Sequence, residues 1–369
     1  MRVLEFRLEQ AAQPLTRAWQ HLPIAPRGAT RLGISFRPLQ AAAFGLDERA
    51  TLRALLEYPF QLIRLGAYWD RIEPQPGAFQ VDELDWQIDA AEQAGKQMIL
   101  CVGPLKTFGY PEFFVPRHLL PRPFPERTRI KPSAYPALLS AATEFITRLV
   151  ERYKQRTSIV AWQLEHEAVD PLGVEHSWRL DAAFVEQEAD ALRKADPTRP
   201  LMMNGFLPTS LLVRLSQWWN TRDQGDSLAV AQRLADMVGI DYYPRHALVP
   251  VGKKTLYLDG SQSAWQRQRR QGLLAWAAAH GKQLLISEGQ AEPWETTTTP
   301  PNPGSQGMYS CLPEQVISNY NDCMVGDGQP AALYAYLFWG AEYWMLRKQA
   351  TDSSYLEAFA RILEEADKH

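Results

Sequence analysis

Residues 161–170 read AWQLEHEAVD, a short apolar segment with acidic residues at its carboxyl end. Trp162 and Leu164 give the segment the character of a β-strand, and Glu165 and Glu167 follow them. Taken alone, this pair of acids indicates solvated residues entering a loop, because most charged side chains are exposed. A second segment, residues 283–288 (QLLISE), ends in acid in the same way. Since buried carboxylates are costly unless they are paired or used, the function depends on whether the fold brings the two strand ends together.

The rest of the chain alternates short apolar runs with helical segments. Regular alternation of this kind predicts a parallel sheet covered by helices, and eight such units close into a (β/α)8 TIM barrel. A doubly wound sheet would have a glycine-rich phosphate turn, and no GxGxxG or P-loop occurs in the sequence. The predicted strands, numbered one to eight, are residues 31–36, 61–66, 97–102, the start of 161–170, 201–204, 234–243, 283–288 and 332–339. The predicted helices cover residues 47–58, 82–95, 135–156, 181–195, 263–280 and 354–367.

This pattern predicts a single α/β domain with an N-terminal extension and two long loops. Residues 1–30 are irregular and contain three prolines, so we expect an N-terminal extension packed on the barrel, with room for one short strand. We expect residues 31–369 to form the (β/α)8 barrel. Long loops follow strand three, in residues 103–136, and strand seven, in residues 289–313; loops of such length are usually functional or disordered.

The composition excludes several classes of partner. With 39 basic and 42 acidic residues the net charge is −3, which predicts neither nucleic-acid nor membrane-surface binding. No run approaches the ~18 apolar residues of a membrane span. The first ten residues lack the apolar core of a secretory signal, so we expect a cytoplasmic protein. The three cysteines form no CxxC pair, which agrees with a reducing compartment.

In a barrel, chemistry gathers where the strands end. Strand alternation places Asp241 and Tyr243 on one face, and it places Glu288 above apolar residues of its own strand. His166 and Glu167 can both face the site only if strand four breaks or bulges there. The full set of candidate site residues is Arg64, Trp69, His166, Glu167, Asn204, Asp241, Tyr243, Glu288, Trp294 and Trp339.

Two carboxylates at opposite strands, accompanied by aromatic residues and an arginine, suit glycoside hydrolysis. One carboxyl donates a proton to the leaving oxygen, and the other attacks the sugar or activates water. We expect Arg64 to keep Glu288 ionised and Tyr243 to donate a hydrogen bond to it. A neighbouring negative charge would favour the protonated form of Glu167.

The motifs WQLEHE and ISEGQAEPW resemble those of clan A glycoside hydrolases, especially families 5 and 42. The segment RLGAYWDRIEPQPGAF is similar to strand two of these enzymes, and LFWGAEYW to their strand eight. The resemblance covers residues 31–345. It implies that Glu167 is the acid/base and Glu288 the nucleophile, and that Arg64, Tyr243 and Trp339 match residues of the clan's site. It also implies retention of anomeric configuration, with the carboxyls about 5 to 5.5 Å apart.

His166 departs from this family pattern. The clan usually has asparagine immediately before the acid/base, where the amide binds the sugar 2-hydroxyl. An imidazole can donate one hydrogen bond but cannot supply both functions of an amide. The configuration accepted at C2 of the sugar is therefore open.

Other functions have less support in the sequence. The seven histidines form no HxH or HExxH, and no GxSxG follows a strand, so we predict neither a metal site nor a cofactor and no serine hydrolase. The remaining alternatives are a catalytically inactive barrel that binds carbohydrate and a transglycosylase. A carbohydrate is the expected partner, and the candidate sugar platforms are Trp69, Trp218, Trp219, Trp294 and Trp344. Closure of one end of the cleft by the two long loops would favour exo action.

Overall fold

The computed structural model describes residues 5–10, 17–109, 111–171, 176–251, 254–260, 263–293, 310–325 and 332–368. The strands are β1 Glu5–Gln10, β2 Arg31–Ser35, β3 Leu62–Gly66, β4 Gln97–Cys101, β5 Arg129–Ile130, β6 Ile159–Gln163, β7 Arg179–Leu180, β8 Leu201–Phe206, β9 Met237–Tyr242, β10 Arg245–Val251, β11 Lys254–Asp259, β12 Gln283–Gln290 and β13 Ala335–Trp339.

Twelve helices occur among the described residues: α1 Pro38–Ala43, α2 Glu48–Leu56, α3 Trp69–Ile72, α4 Asp82–Gln93, α5 Pro136–Tyr153, α6 Ala182–Ala195, α7 Leu211–Thr221, α8 Ser227–Leu234, α9 Ala264–Ala279, α10 Pro313–Met324, α11 Ala341–Gln349 and α12 Ser354–Glu365. A 3-10 helix spans Ala18–His21. None of these helices has the length and apolar character needed to cross a membrane.

Eight of the strands form a closed barrel in the order β12-β13-β2-β3-β4-β6-β8-β9. These are the eight strands that the sequence predicts, in chain order from β2 to β13, so the (β/α)8 fold is confirmed. The chain divides into two compact units. The first unit comprises residues 1–61, 207–214 and 240–369, and the second comprises 62–206 and 215–239.

In the second unit, apolar runs form strands that are buried on both faces. All residues of β3 and β8 are buried, as expected for parallel strands covered by helices. Strand β3 pairs in parallel with β4, and β4 with β6. Helix α5 turns Leu138, Ala142, Phe145 and Leu149 inward, the spacing of an amphipathic helix. The helix stop predicted at Gly95 is confirmed, because Gly95 has φ 69°.

In the first unit, β12 pairs in parallel with β13, and β13 with β2. Aromatic rings fill the space between these strands and the helices. Phe338 lies edge-on to Tyr336 at 4.7 Å between ring centroids and to Phe359 of α12 at 5.1 Å. Such pairs add about 0.5–1.5 kcal/mol each beyond the burial of their area.

The sequence did not predict a small antiparallel sheet in the first unit. Strand β1 pairs with β11, and β11 pairs with β10. The sequence allowed one short strand in residues 1–30 without fixing its position or partner, and no strand was predicted for residues 245–259. Pro250 lies within β10, and proline ordinarily counts against a strand. Here the proline is tolerated because β10 pairs with β11 alone and has a bulge between Ala247 and Val249.

Helix ends follow local rules. Asp47 accepts a hydrogen bond from the Ala50 backbone, as its predicted N-cap role requires. Asp181 and Ser263 cap α6 and α9 in the same way. Cys101, Cys311 and Cys323 are all buried and unbridged.

Asp196, at the turn after α6, holds that turn to β6. Its carboxylate accepts hydrogen bonds from the Trp162 indole at 2.9 Å, from the Thr198 backbone at 2.9 Å and from Arg199 at 2.7 Å. Burial opposes its charge, but the hydrogen bonds from Thr198, Trp162 and Arg199 hold the pKa of Asp196 below its ordinary value.

We expect Asp196→Ala to lower the free energy of unfolding by about 2–4 kcal/mol, because it leaves the buried Trp162 N–H unpaired. Since the folded-state pKa of Asp196 is depressed, its contribution is present above about pH 4 and is lost at lower pH. Urea unfolding at several pH values measures both effects. Asp190→Ala, an exposed change on the same helix, is the control. A similar loss in both variants would contradict this role.

Candidate active site

In the second unit, the backbone is strained immediately after β6, where Glu165 and Glu167 lie. Strand β6 ends at Gln163, and the non-glycine residues Glu165 and Glu167 have φ 24° and 44°. The strand therefore breaks before His166 and Glu167, which is the condition that the sequence set for both to face a site. Positive φ values at such residues cost free energy and cluster at functional sites.

Glu165 is not the solvated loop residue that its sequence context alone indicated. It is fully buried, and its carboxylate accepts hydrogen bonds from the backbone N–H groups of Leu105 and Lys106. Gly103 gives the backbone room for this contact, because a Cβ there would lie 2.0 Å from the Glu165 nitrogen. Glu165 therefore ties the loop after β4 to the end of β6.

Lys106 adds further hydrogen bonds between the loop after β4 and the segment after β6. The side chain is fully buried. Its Nζ donates to the backbone oxygen of Glu167 at 3.0 Å and to that of Asp170 at 3.4 Å. The backbone oxygen of Lys106 accepts from the His166 N–H at 2.5 Å. The backbone on both sides of Glu167 is thus fixed by one lysine that the sequence did not single out, because a lysine among prolines carries no local signal of burial.

A second buried carboxyl, Glu188 of α6, lies beside Glu165. Burial and the charge of Glu165 raise the pKa of Glu188 well above its usual range. Burial also raises the pKa of Glu165 to about 7, although the N–H groups of Leu105 and Lys106 favour its ionised form. Two adjacent carboxyls in an apolar interior cannot both ionise near neutrality, so Glu188 is uncharged.

A chain of polar side chains links the ends of β3, β6 and β8. The Arg64 Nε donates to Gln163 Oε1 at 2.6 Å, and Gln163 Nε2 donates to Asn204 Oδ1 at 3.1 Å. The Arg64 guanidinium also lies 3.9 Å from the centroid of the Phe108 ring. All of these polar groups are buried. Gln163 belongs to the site motif, but the sequence did not reveal that it orients Arg64 and Asn204.

In the first unit, the described site centres on Glu288, which is 2% exposed. Tyr243 Oη donates a hydrogen bond to Glu288 Oε2 at 2.6 Å, which confirms the predicted contact. Burial and the charges of Glu288 and Asp241 raise the pKa of Tyr243 well above 10, so the phenol remains a donor. Ser287 Oγ donates to Asp241 Oδ1 at 2.7 Å.

The end of β12 departs from regular alternation. The register with β13 shifts between Ile286 and Gly289, so simple alternation does not extend through Glu288. A Cβ at Gly289 would lie 2.3 Å from the Tyr336 ring. Only glycine lets β12 pass this ring at the residue immediately after Glu288.

Trp339, at the end of β13, rests on a buried ion cluster. The Arg37 guanidinium lies 4.2 Å from the centroid of its ring. The same guanidinium binds Glu292 through two hydrogen bonds of 2.8 and 2.9 Å, and it binds Glu342 at 2.6 and 2.9 Å. The sequence identified Trp339 but not Glu292 and Glu342, because their role depends on Arg37, which lies far away in the chain.

The tryptophans differ in their surroundings. Trp69 is fully buried, donates its indole N–H to Glu73 at 2.9 Å and packs 5.4 Å from Phe145, so it offers no exposed face to a sugar. Trp344 is buried as well. Trp218 and Trp219 are exposed on α7. Trp294 lies outside the described residues.

Comparison with known proteins gives one match to a family model, in the part of the chain that contains Glu167. Residues 48–178 match the family model of glycoside hydrolase family 42, described as β-galactosidase. The matched segment contains Arg64, His166 and Glu167 but covers less than half of the chain. No curated protein gives a significant match.

Solved structures of similar fold are glycoside hydrolases. A family 5 enzyme variant from Streptomyces cattleya, in complex with Manβ1-4GlcNAc, has TM-score 0.54 and 15% identity over 84% of this chain and 70% of that chain. Xylanase 10B from Thermotoga petrophila, in complex with xylobiose, has TM-score 0.54 and 15% identity over 93% and 98%.

The chain is similar to clan A glycoside hydrolases. A β-galactosidase from Halorubrum lacusprofundi extends this likeness, with TM-score 0.51 and 15% identity over 91% of this chain and 58% of that chain. At these identities the likeness establishes the clan A barrel fold alone, and the roles of individual residues rest on the geometry described above.

The buried Glu165 and Glu188 predict an unusual dependence of stability on pH. Both folded-state pKa values are raised, so above about pH 4.5 the folded state binds more protons than the unfolded state, and stability falls as pH rises. We expect Glu188→Gln, which keeps a neutral side chain of similar shape, to reduce this fall. Urea unfolding midpoints between about pH 5 and pH 8 measure it.

Glu186→Gln is the matched control, because Glu186 lies on the same helix with an exposed side chain paired to Arg233. It should leave the pH dependence of the wild type unchanged. Equal slopes for wild type and Glu188→Gln would show that the Glu165–Glu188 pair does not titrate as described.

Proposed function

We propose that this protein is a retaining β-glycosidase that cleaves β-linked glycosides or oligosaccharides by double displacement. Glu288 is the nucleophile and Glu167 the acid/base. The observation that carries the proposal is the 2.6 Å hydrogen bond from Tyr243 to the buried Glu288, at the carboxyl end of barrel strand seven. Carboxyl ends of barrel strands are where such enzymes carry out their chemistry.

A nucleophilic carboxylate must be ionised and held in one orientation. A hydrogen bond from a neutral phenol stabilises the charged form of its acceptor, and in this proposal a carboxylate oxygen of Glu288 attacks C1 of the sugar. The first step forms the Glu288–C1 bond and breaks the bond between C1 and the leaving oxygen. A covalent glycosyl-enzyme results.

Glu167 donates its proton to the leaving oxygen in that step. In the second step it takes a proton from water, which attacks C1 and releases Glu288. The product then has the configuration of the substrate. The strained backbone of Glu167 supports this role, and so do the two contacts that Lys106 makes with the backbone of His166 and Glu167. Proton transfer needs a side chain held in a fixed position. Carboxyl chemistry of this kind needs neither a metal nor a cofactor.

Further residues bind and orient the sugar in this proposal. Asn204 and Arg64, ordered through Gln163, present polar groups at strands two and five, and Asp241 does so at strand six. Trp339 on Arg37 supplies an apolar platform. His166 stands where the clan has asparagine and selects the configuration at C2. Two of the similar structures contain disaccharides, Manβ1-4GlcNAc and xylobiose, which supports a substrate of this class.

We expect Glu288→Gln to lower kcat on aryl β-glycosides on the order of 10⁴-fold, because an amide cannot form the glycosyl ester. A 2-fluoro glycoside with an activated leaving group should label wild type on Glu288, as detected by mass spectrometry of the peptides. Glu364→Gln, an exposed change on α12, should be fully active. A label on another residue would reassign the nucleophile. Glycan binding without turnover in wild type would instead favour an inactive binding barrel.

Glu167→Ala tests the other carboxyl. Without a proton donor, substrates with poor leaving groups should lose about 10²–10⁴-fold in rate, whereas a dinitrophenyl glycoside should still form the glycosyl-enzyme. Sodium azide should then restore turnover and yield a β-glycosyl azide, identified by NMR. Glu288→Ala should yield the α-glycosyl azide, formed by one displacement. The opposite pairing of variants and anomers would exchange the two roles.

A further inference from the structure

A pocket of about 670 Å³ opens between the loops that follow β4 and β6. It lies wholly within the second unit, and neither its location nor its lining enters the mechanism above. Among the residues that line it are Phe113, Val115, Arg117, Leu120, His176 and Trp178. We refer to it as the aromatic pocket. Its volume lies in the usual range for small-molecule sites.

The walls of the aromatic pocket are fixed by ring packing. Trp178 is 3% exposed and donates its indole N–H to the Phe124 backbone oxygen at 3.1 Å. His176 stacks on Trp178 with 3.8 Å between ring centroids and 7° between planes. Phe113 meets Trp178 edge-on at 5.1 Å. A ligand would therefore meet a rigid surface, which reduces the ordering cost of binding.

The polar and aromatic side chains that line the aromatic pocket indicate which kind of ligand would bind there. Arg117 and His176 are the polar side chains among the lining residues, and the His176 Nδ1 is already 3.0 Å from Glu126. A second sugar would present several hydroxyl groups that need partners, and Arg117 and His176 are the two polar side chains of this lining that could meet them. A flat apolar group fits the lining better, and the exposed Arg117 guanidinium can pair with an anionic or oxygen-rich edge.

The position of the pocket points to the leaving-group side of the substrate. Phe113 lies 5.8 Å from Lys106 Nζ, and this Nζ donates to the Glu167 backbone at 3.0 Å. The acid/base protonates the oxygen that leaves with the aglycone, so the aglycone lies on the Glu167 side of the scissile bond. Lys106 therefore contacts both a wall of the pocket, at Phe113, and the backbone of Glu167.

We propose that the aromatic pocket is the aglycone site, and that it favours aryl aglycones, above all those with a carboxylate, over alkyl or sugar aglycones. This inference rests on the proposed function, because it takes Glu167 as the proton donor to the aglycone.

The test compares methyl, phenyl and 4-carboxyphenyl β-glycosides of one sugar. Leu120 is half-buried at the pocket, and Leu120→Arg fills it. This variant should lower kcat/KM for the phenyl glycoside about tenfold and leave the methyl glycoside within about twofold. Leu212→Arg, at a leucine that is 68% exposed on α7, is the control and should match wild type. Comparing variant with wild type on each substrate cancels differences in leaving-group reactivity.

Arg117→Gln provides a second variant at an exposed position that should not disturb folding. It should abolish the preference for 4-carboxyphenyl over phenyl glycoside, measured as the ratio of the two kcat/KM values. If Glu288→Gln is inactive but neither pocket variant alters the ratio between substrates, the aglycone site is refuted while the proposed function stands.

If wild type turns over none of the three glycosides, the proposed function fails instead, and calorimetric titration with the uncharged phenyl glycoside tests the pocket directly. Weaker binding to Leu120→Arg than to wild type and Leu212→Arg would support the site. Equal binding, or none, would overturn it.

Discussion

The buried carboxylate of Glu165 is the constraint on which the strand end that carries Glu167 depends. Strand β6 ends before Glu165, and the chain then follows an unfavourable backbone path. The N–H groups of Leu105 and Lys106 meet the Glu165 carboxylate, and the Lys106 side chain holds the backbone beyond it. Because buried polar groups must be satisfied, these contacts determine the path. Glu167 takes its position from them.

The first unit uses the same physical principle with other residues. Arg37, buried among Glu292 and Glu342, supports Trp339. Breaking one partner of a buried ion cluster leaves an uncompensated charge, which costs about 3–5 kcal/mol. The cluster thus gives Trp339 a fixed geometry at the end of β13. In both units, the residues that would touch a sugar are held by buried charged groups that would not touch it.

Local sequence patterns were sufficient to predict the barrel. Each of its eight strands is a compact apolar run, and several helices begin at a capping residue such as Asp47. The small antiparallel sheet was missed because Pro250 counts against a strand at β10. In addition, β1, which pairs with β11, lies far from it in the sequence. Likewise, the exposure of tryptophans did not follow from composition: Trp69 and Trp344 are core residues, whereas Trp218 and Trp219 are exposed.

The sequence by itself determined which strand ends carry the acids, and it determined that Tyr243 accompanies Glu288. These features follow from hydrophobic periodicity and strand order, which are local or topological. Only the tertiary structure decided that Glu165 is buried, that Glu188 is neutral beside it, and that Lys106 fixes the backbone of Glu167. The physical reason is that burial and hydrogen-bond partners depend on which loops meet in space, and the residues concerned lie on separate elements of the chain.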